Sequence, residues 1–345
     1  MSEPEGATRA QDGDAATTAE VRSADNPWKI LRHEAWPILK ATWADGSAHN
    51  LSLIAAGTAF WGFTAIAPLL AATVLTYGLL ATPETVSANI RGLFGVLPRE
   101  AAALIGDQLA GVVKTSGEKK GWGLVIALGL AVYGGSQGAS AIVTALNIAY
   151  AEKETRSFVR LYGIAFAITL SAVFLALGAA STTTILAFID GLIPWAPNAV
   201  LVGIRLASYV VLALMTITAA AALYRYGPDR SHAKWSWLTP GSLTATILWV
   251  GSIGGFAFYA ANFGNYGATY GSLSAVVVLL FWLWLSAYIF LLGAEFNSQL
   301  ERRTAVDTTV GPAAPLGQRG AAVADTAGAV VHSPEARDAL AGATG

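Results

Sequence analysis

The chain has 345 residues, of which 54% are hydrophobic and 12% charged, with a net charge of −1 and a mean hydropathy of +0.52. Soluble domains carry about 25% charged residues, so half that fraction points to a polytopic membrane protein. The balanced charge gives no bulk attraction for nucleic acid, and the absence of cysteine excludes disulfides, thiolate metal sites and a cysteine nucleophile.

Residues 1–26 are polar, lack apolar periodicity and are expected to be a disordered tail, with no cleavable signal peptide. Asn26-Pro27 then reads as a helix start, a capping side chain followed by proline at the first helical position. Trp28, Leu31, Ala35 and Leu39 recur at helical spacing, and Trp36 and Trp43 add interfacial aromatics. This predicts an amphipathic helix on the membrane surface, interrupted at Pro37.

The first span is expected at 51–80, kinked at Pro68, with Thr64 placed to occupy the backbone region that the proline frees. From 83 to 121, two apolar stripes flank Pro98 and predict short helices, interfacial or packed over the bundle. The second span, 122–150, is the least apolar. Its Gln137, Ser140, Thr144 and Asn147 step by three, four and three, which puts four polar side chains on one helical face. With Gly134, Gly135 and Gly138 beside them, two readings stay open: helix-packing glue and the lining of a polar pathway.

A third span is expected at 162–188 and a fourth at 198–223, separated by a short loop holding Asp190. Arg205 lies inside the fourth. A charge at a helix centre costs roughly 2.5–3.5 kcal/mol on insertion scales, so Asp190 is the expected counter-ion, with an anionic head group as the alternative.

Residues 235–294 contain no Asp, Glu, Lys, Arg or His. Two apolar blocks, 241–262 and 271–294, joined by GNYGATY, predict a transmembrane hairpin with both ends on one side. Glu295 ends it, and a contact with a basic residue or with backbone donors of the fourth–fifth loop is expected there. Residues 304–345, rich in Ala, Gly and Pro, are expected to be disordered.

Lys and Arg cluster before the first span, in the second–third loop (Lys153, Arg156, Arg160) and in the fourth–fifth loop (Arg225, Arg230, Lys234). The third–fourth and fifth–sixth loops have none. An all-α, six-span membrane domain over 27–303 with both termini cytoplasmic satisfies the positive-inside rule, apart from the basic residues of the first long loop.

The strings YRYGPDR, PGSL, NYGATYGSLSAVVVLLFWLW and LLGAEFNSQLE resemble the C-terminal signature of the YihY/BrkB family, and YGGSQGASAIVTALNIAY in the second span is similar to the same family. The resemblance covers roughly residues 30–303 and departs at Trp284, where tyrosine is more usual. It implies a six-helix inner-membrane protein of bacteria. Members have been labelled ribonuclease BN, virulence-associated or transporters, so no secure activity comes with it.

The four histidines (His33, His49, His232, His332) share no ligand spacing, and Glu152 and Glu154 sit among basic residues. No catalytic, metal or cofactor residues are therefore assigned, and ribonuclease activity is not expected. The preferred expectation is translocation of a lipid-like or small anionic molecule; the alternative is a non-catalytic envelope-assembly scaffold. Membrane lipids are the expected partners, a homo-oligomer is admitted, and nucleic acid is not.

Overall fold

A computed structural model describes residues 21–80, 120–192, 197–263 and 273–326; the helices expected between 83 and 121, and the side chain of Asp190, lie outside it. The described chain is helical, in the order α1 (Pro27–Ala48), α2 (Leu51–Leu80), α3 (Lys120–Ala149), α4 (Phe158–Leu192), α5 (Asn198–Tyr226), α6 (Trp235–Phe263), α7 (Ser274–Glu301) and the single turn α8 (Ala322–Asp325). Among the described residues, four stretches are long and apolar enough to cross a bilayer: Leu51–Pro68, Val125–Ala149, Ala199–Tyr226 and Val276–Glu301. Phe158–Ala172 is a shorter apolar helix. The protein is a multi-pass membrane protein.

Local sequence sets the helix boundaries. Asn26 caps α1, its side-chain oxygen accepting from the Trp28 amide at 3.0 Å, with Pro27 behind it. Pro37 interrupts the ladder, and Glu34, three residues earlier, leaves the helical region (φ −127°, ψ 24°). The helix has two working faces. Ile30, Ile38, Thr42 and Gly46 are buried, with Ile30 and Ile38 packed against Trp237, Phe296 and Leu300. Trp28, Trp36, Leu39 and Trp43 stay exposed, as an interfacial aromatic face should. Asn50, at φ +53°, turns the chain from α1 into α2; asparagine tolerates that left-handed conformation better than most residues.

The principal packing forms a ring: α2 lies on α3 and α7, α7 on α6, α6 on α5, α5 on α4, and α4 on α3, with α1 outside against α7. Small residues bring backbones together. A Cβ on Gly134 would stand 3.0 Å from the Ala65 Cβ of α2, and one on Gly135 would stand 2.8 Å from the Thr169 methyl of α4. The closest approach is α6 to α7, where a Cβ on Gly241 would run into the Gly293 carbonyl.

Residues 21–26 and 304–326, expected to be disordered, are instead packed against the bundle. Val21 and Ala24 are buried with Ile30, and the Ala24 carbonyl accepts from the Thr304 hydroxyl at 2.6 Å. Residues 304–326 fold over the end of the bundle, with Thr308 and Val323 fully buried. Their Ala-rich composition hides this because the segment forms almost no regular structure of its own. It is held by side chains and loop carbonyls that belong to other segments.

Candidate functional site

The four residues of the polar stripe on α3 have four different environments. Gln137 donates to the Tyr162 hydroxyl of α4 at 3.4 Å. The Ser140 hydroxyl is buried without a partner among the described residues. Thr144 is exposed and donates to the Ser140 carbonyl at 2.9 Å, so its polarity is satisfied within its own helix. Asn147 is buried, and it opens a network at the end of the bundle where α3, α5 and α7 finish and α4 and α6 begin. Of the other candidates, Pro68 lies inside α2, where the Thr64 hydroxyl donates to the Phe60 carbonyl at 2.8 Å. Arg205 is exposed on the shaft of α5.

Asn147 joins two loops. Its amide donates to Glu154 at 2.8 Å, and its carbonyl oxygen accepts from the Asp229 backbone at 2.8 Å. Arg156 grips Glu154 with two donors, at 2.7 and 2.6 Å, and reaches the Gly227 carbonyl at 2.8 Å. Thr155 gives Asp229 both its amide, at 2.7 Å, and its hydroxyl, at 2.6 Å. Charge follows geometry here. The Arg156 guanidinium, against a smaller opposing effect of burial, holds Glu154 below the usual carboxylate range. For Asp229 burial is the largest single influence and works upward, yet Thr155 and Arg156 together bring it down.

A second pair lies deeper. Arg230 and Glu301 meet at 2.7 Å with side chains 2% and 0% exposed. The guanidinium stacks over Tyr150, 4.9 Å from the ring centre, and the Thr308 hydroxyl donates to Glu301 at 3.0 Å. Burial of this kind is tolerated only because every charge has a partner. Residues 304–326 close the site from below. Lys234 donates to the Asp307 carbonyl at 2.7 Å, and the Ala322 amide donates to Glu152 at 2.8 Å. Arg319, itself buried, donates to the carbonyls of Ala305, Ala314 and Ala324. Asn297 ties α7 to α6, accepting from the Gly241 amide at 2.7 Å and donating to the Leu238 carbonyl at 3.1 Å.

Glu295 has a basic partner, and it comes from the α1–α2 corner rather than from the fourth–fifth loop. The carboxylate is fully buried, 3.1 Å from His49 Nδ1 at the α1–α2 corner, and Gln299 bridges it to Asp45. The loop arginine pairs with Glu301 instead. Six residues turn a helix by about 240°, so the two carboxylates leave α7 on different faces. The Glu295 contact raises the His49 pKa above its ordinary value despite partial burial.

Glu301 and Asp229 were not singled out from sequence, and Arg230 and Glu154 were read only as loop charges. YRYGPDR carries the signal, a Pro-Asp turn with arginines on both sides, but nothing local distinguishes a buried loop charge from a solvated one. Among the described residues no group of three His, Cys, Asp or Glu is arranged to hold a metal ion. A cavity of about 220 Å³ opens beside the network, with Arg156, Arg160, Tyr226, Asp229, Arg230 and His232 in its wall.

The profile of the family described as Virulence factor BrkB matches residues 42–316. A Bacillus subtilis (strain 168) protein whose name calls it ribonuclease-like, YfkH, is 32% identical over 185 residues, 50% of this chain and 64% of that protein. A UPF0761 membrane protein of Tolumonas auensis is 33% identical over 87 residues, 25% of this chain and 28% of that one. Another from Alkalilimnicola ehrlichii is 45% identical over 60 residues, 17% of this chain and 14% of that one. The matched stretches thus span less than two thirds of each of these relatives. No solved structure matches.

Proposed function

The chain belongs to the BrkB family, and on that premise we propose that it translocates a lipid-like or small anionic molecule across the bacterial inner membrane without catalysing a reaction. In this reading α2 to α7 all cross the bilayer, in alternating directions, and both termini are cytoplasmic. The distribution of basic residues supports the orientation. Arg22, Lys29, Arg156, Arg230, Lys234 and Arg303 all belong to segments at the end where α3, α5 and α7 finish.

The observation that carries the reading is the packing of α5. No residue between Ala199 and Ala219 is buried, whereas Ala220, Ala221 and Tyr224 at its end are. A helix anchored at one end and loosely packed along its shaft can swing without opening a core. Alternating access needs such an element moving against a fixed one. In this reading the exposed Arg205 on that shaft is the cation that meets the anionic group.

Reconstitution into liposomes tests this. With a fluorescent phosphatidylglycerol, an added membrane-impermeant quencher should reach more label than the outer leaflet holds, or a trapped small anion should leave faster than from protein-free vesicles. Flux equal to protein-free vesicles for both, from folded and inserted protein, would overturn transport and leave the envelope-assembly scaffold.

A further inference from the structure

We propose that the cavity between the start of α4 and the end of α5 binds the phosphate of an anionic lipid headgroup. The site does not depend on the transport reading, since a headgroup can bind here whether or not anything crosses.

Among the described residues, charge pairing around the cavity leaves Arg160 and Arg225 without a carboxylate partner. Arg156 is committed to Glu154 and the Gly227 carbonyl, and Arg230 to Glu301. Arg160, the third residue of α4, is exposed on the cavity wall. Among the described residues it makes no hydrogen bond or ion pair; it acts on Asp229 and His232 only through space. Arg225, next to the wall residue Tyr226, has no carboxylate partner among the described residues either. It lies 4.8 Å over the Trp235 ring and 5.6 Å over Tyr226, and it donates to the Ala233 carbonyl at 2.6 Å. Its Nε is buried without a hydrogen-bond partner among the described residues.

His232 registers the resulting field. Burial, and then the guanidinium groups of Arg225, Arg160 and Arg230, lower its pKa. The imidazole is therefore neutral at neutral pH and adds no charge of its own. Asp229 is the acidic group on the wall, and its carboxylate is already engaged by Thr155 and Arg156.

Position selects a lipid over a free ion. Arg160 opens α4 and Tyr226 closes α5, so the cavity stands where these helices leave the apolar layer. That is the level of headgroups, where basic and aromatic side chains meet anionic lipid. Ile164, one turn deeper than Arg160, adds an apolar surface to the same wall. A phosphate can sit between Arg160 and His232 while the glycerol end of the lipid follows Ile164 inward.

The test is native mass spectrometry and binding titration of the full chain in neutral detergent, with phosphatidylglycerol, phosphatidylcholine and inorganic phosphate as separate probes. Phosphatidylglycerol should be retained in preference to phosphatidylcholine. Arg160→Gln should weaken it by about tenfold, the loss expected for one charge-assisted contact. Arg32→Gln, which removes an exposed charge from α1, should leave it unchanged. Because Arg160 is exposed and makes none of the bonds that hold the loops, its variant should unfold at the wild-type temperature. Equal retention of phosphatidylglycerol by Arg160→Gln would overturn the site. Equal retention of both lipids, or inorganic phosphate binding as tightly as phosphatidylglycerol, would overturn the lipid assignment.

Discussion

The end of the bundle around Asn147 and the shaft of α5 both draw on apolar helices, yet they hold together by different means. At the end, Leu51, Leu146, Leu238 and Leu291 pack with exposures of 1% or less around Tyr150 and Tyr224, and buried ion pairs and the 304–326 segment close the surface. Along α5, Leu206, Tyr209, Val210 and Leu214 are more than half exposed. In water such a helix would collapse onto its neighbours. In a bilayer, lipid chains solvate leucine as well as another helix does, so apolar surface alone does not drive packing. Close backbone approach and polar partners do: the glycine contacts of α3 join the middles of α2, α3 and α4, the polar partners gather at one end, and a Cβ on Gly203 of α5 would meet nothing within 4 Å.

The sharpest way to break this comparison is to unpair a buried charge at that end. Arg230→Leu should lower stability by about 3–5 kcal/mol, because Glu301 stays buried alone. Thermal unfolding followed by tryptophan fluorescence measures it, and Arg230→Leu with Glu301→Leu should recover part of the loss. A mild effect of the single change would mean the end is wetter than its burial implies.

Close approach comes next. Gly241→Ala puts a methyl against the Gly293 carbonyl and the Asn297 side chain, and overpacking of this kind costs about 1–3 kcal/mol. The same substitution at Gly203, on α5, meets nothing within 4 Å and should be neutral or slightly stabilising. Parallel melting curves of the two variants decide the matter.

Asn147→Ala removes bonds to both the α3–α4 and α5–α6 loops and should cost about 1–3 kcal/mol. Thr144→Ala, one turn away, should change stability by less than about 0.5 kcal/mol. Protection of the 151–157 and 227–234 amides from hydrogen exchange should fall in the first variant and not in the second.

A smaller, pH-dependent effect belongs to His49. Its pKa is raised in the folded protein by Glu295, so its contribution is fully present below the unfolded value near 6.5. That contribution is lost as pH rises through the folded value. Unfolding temperature should therefore decline above neutrality more steeply in the wild type than in His49→Gln; identical slopes would remove the clamp between the α1–α2 corner and α7. The smallest effect is expected on the shaft itself, where Leu206→Ala should stay within about 0.5 kcal/mol because lipid replaces the lost contacts.

Sequence alone determined the membrane class, the long helices of the described residues, the Asn26-Pro27 cap, the Pro37 interruption and the uncharged 235–294 stretch. Each is set by neighbours along the chain or by transfer from water to lipid, which composition records directly. The partner of Glu295, the separate fates of Gln137, Ser140, Thr144 and Asn147, and the folding of residues 304–326 onto the bundle were decided only in three dimensions. A polar side chain is satisfied by whichever donor or acceptor the packing brings within about 3 Å. In this chain those partners stand far away in sequence: His49 for Glu295, Asp229 for Asn147, and Arg230 for Glu301. Helical period says which face a residue occupies, but it carries no information about what another loop will place against that face.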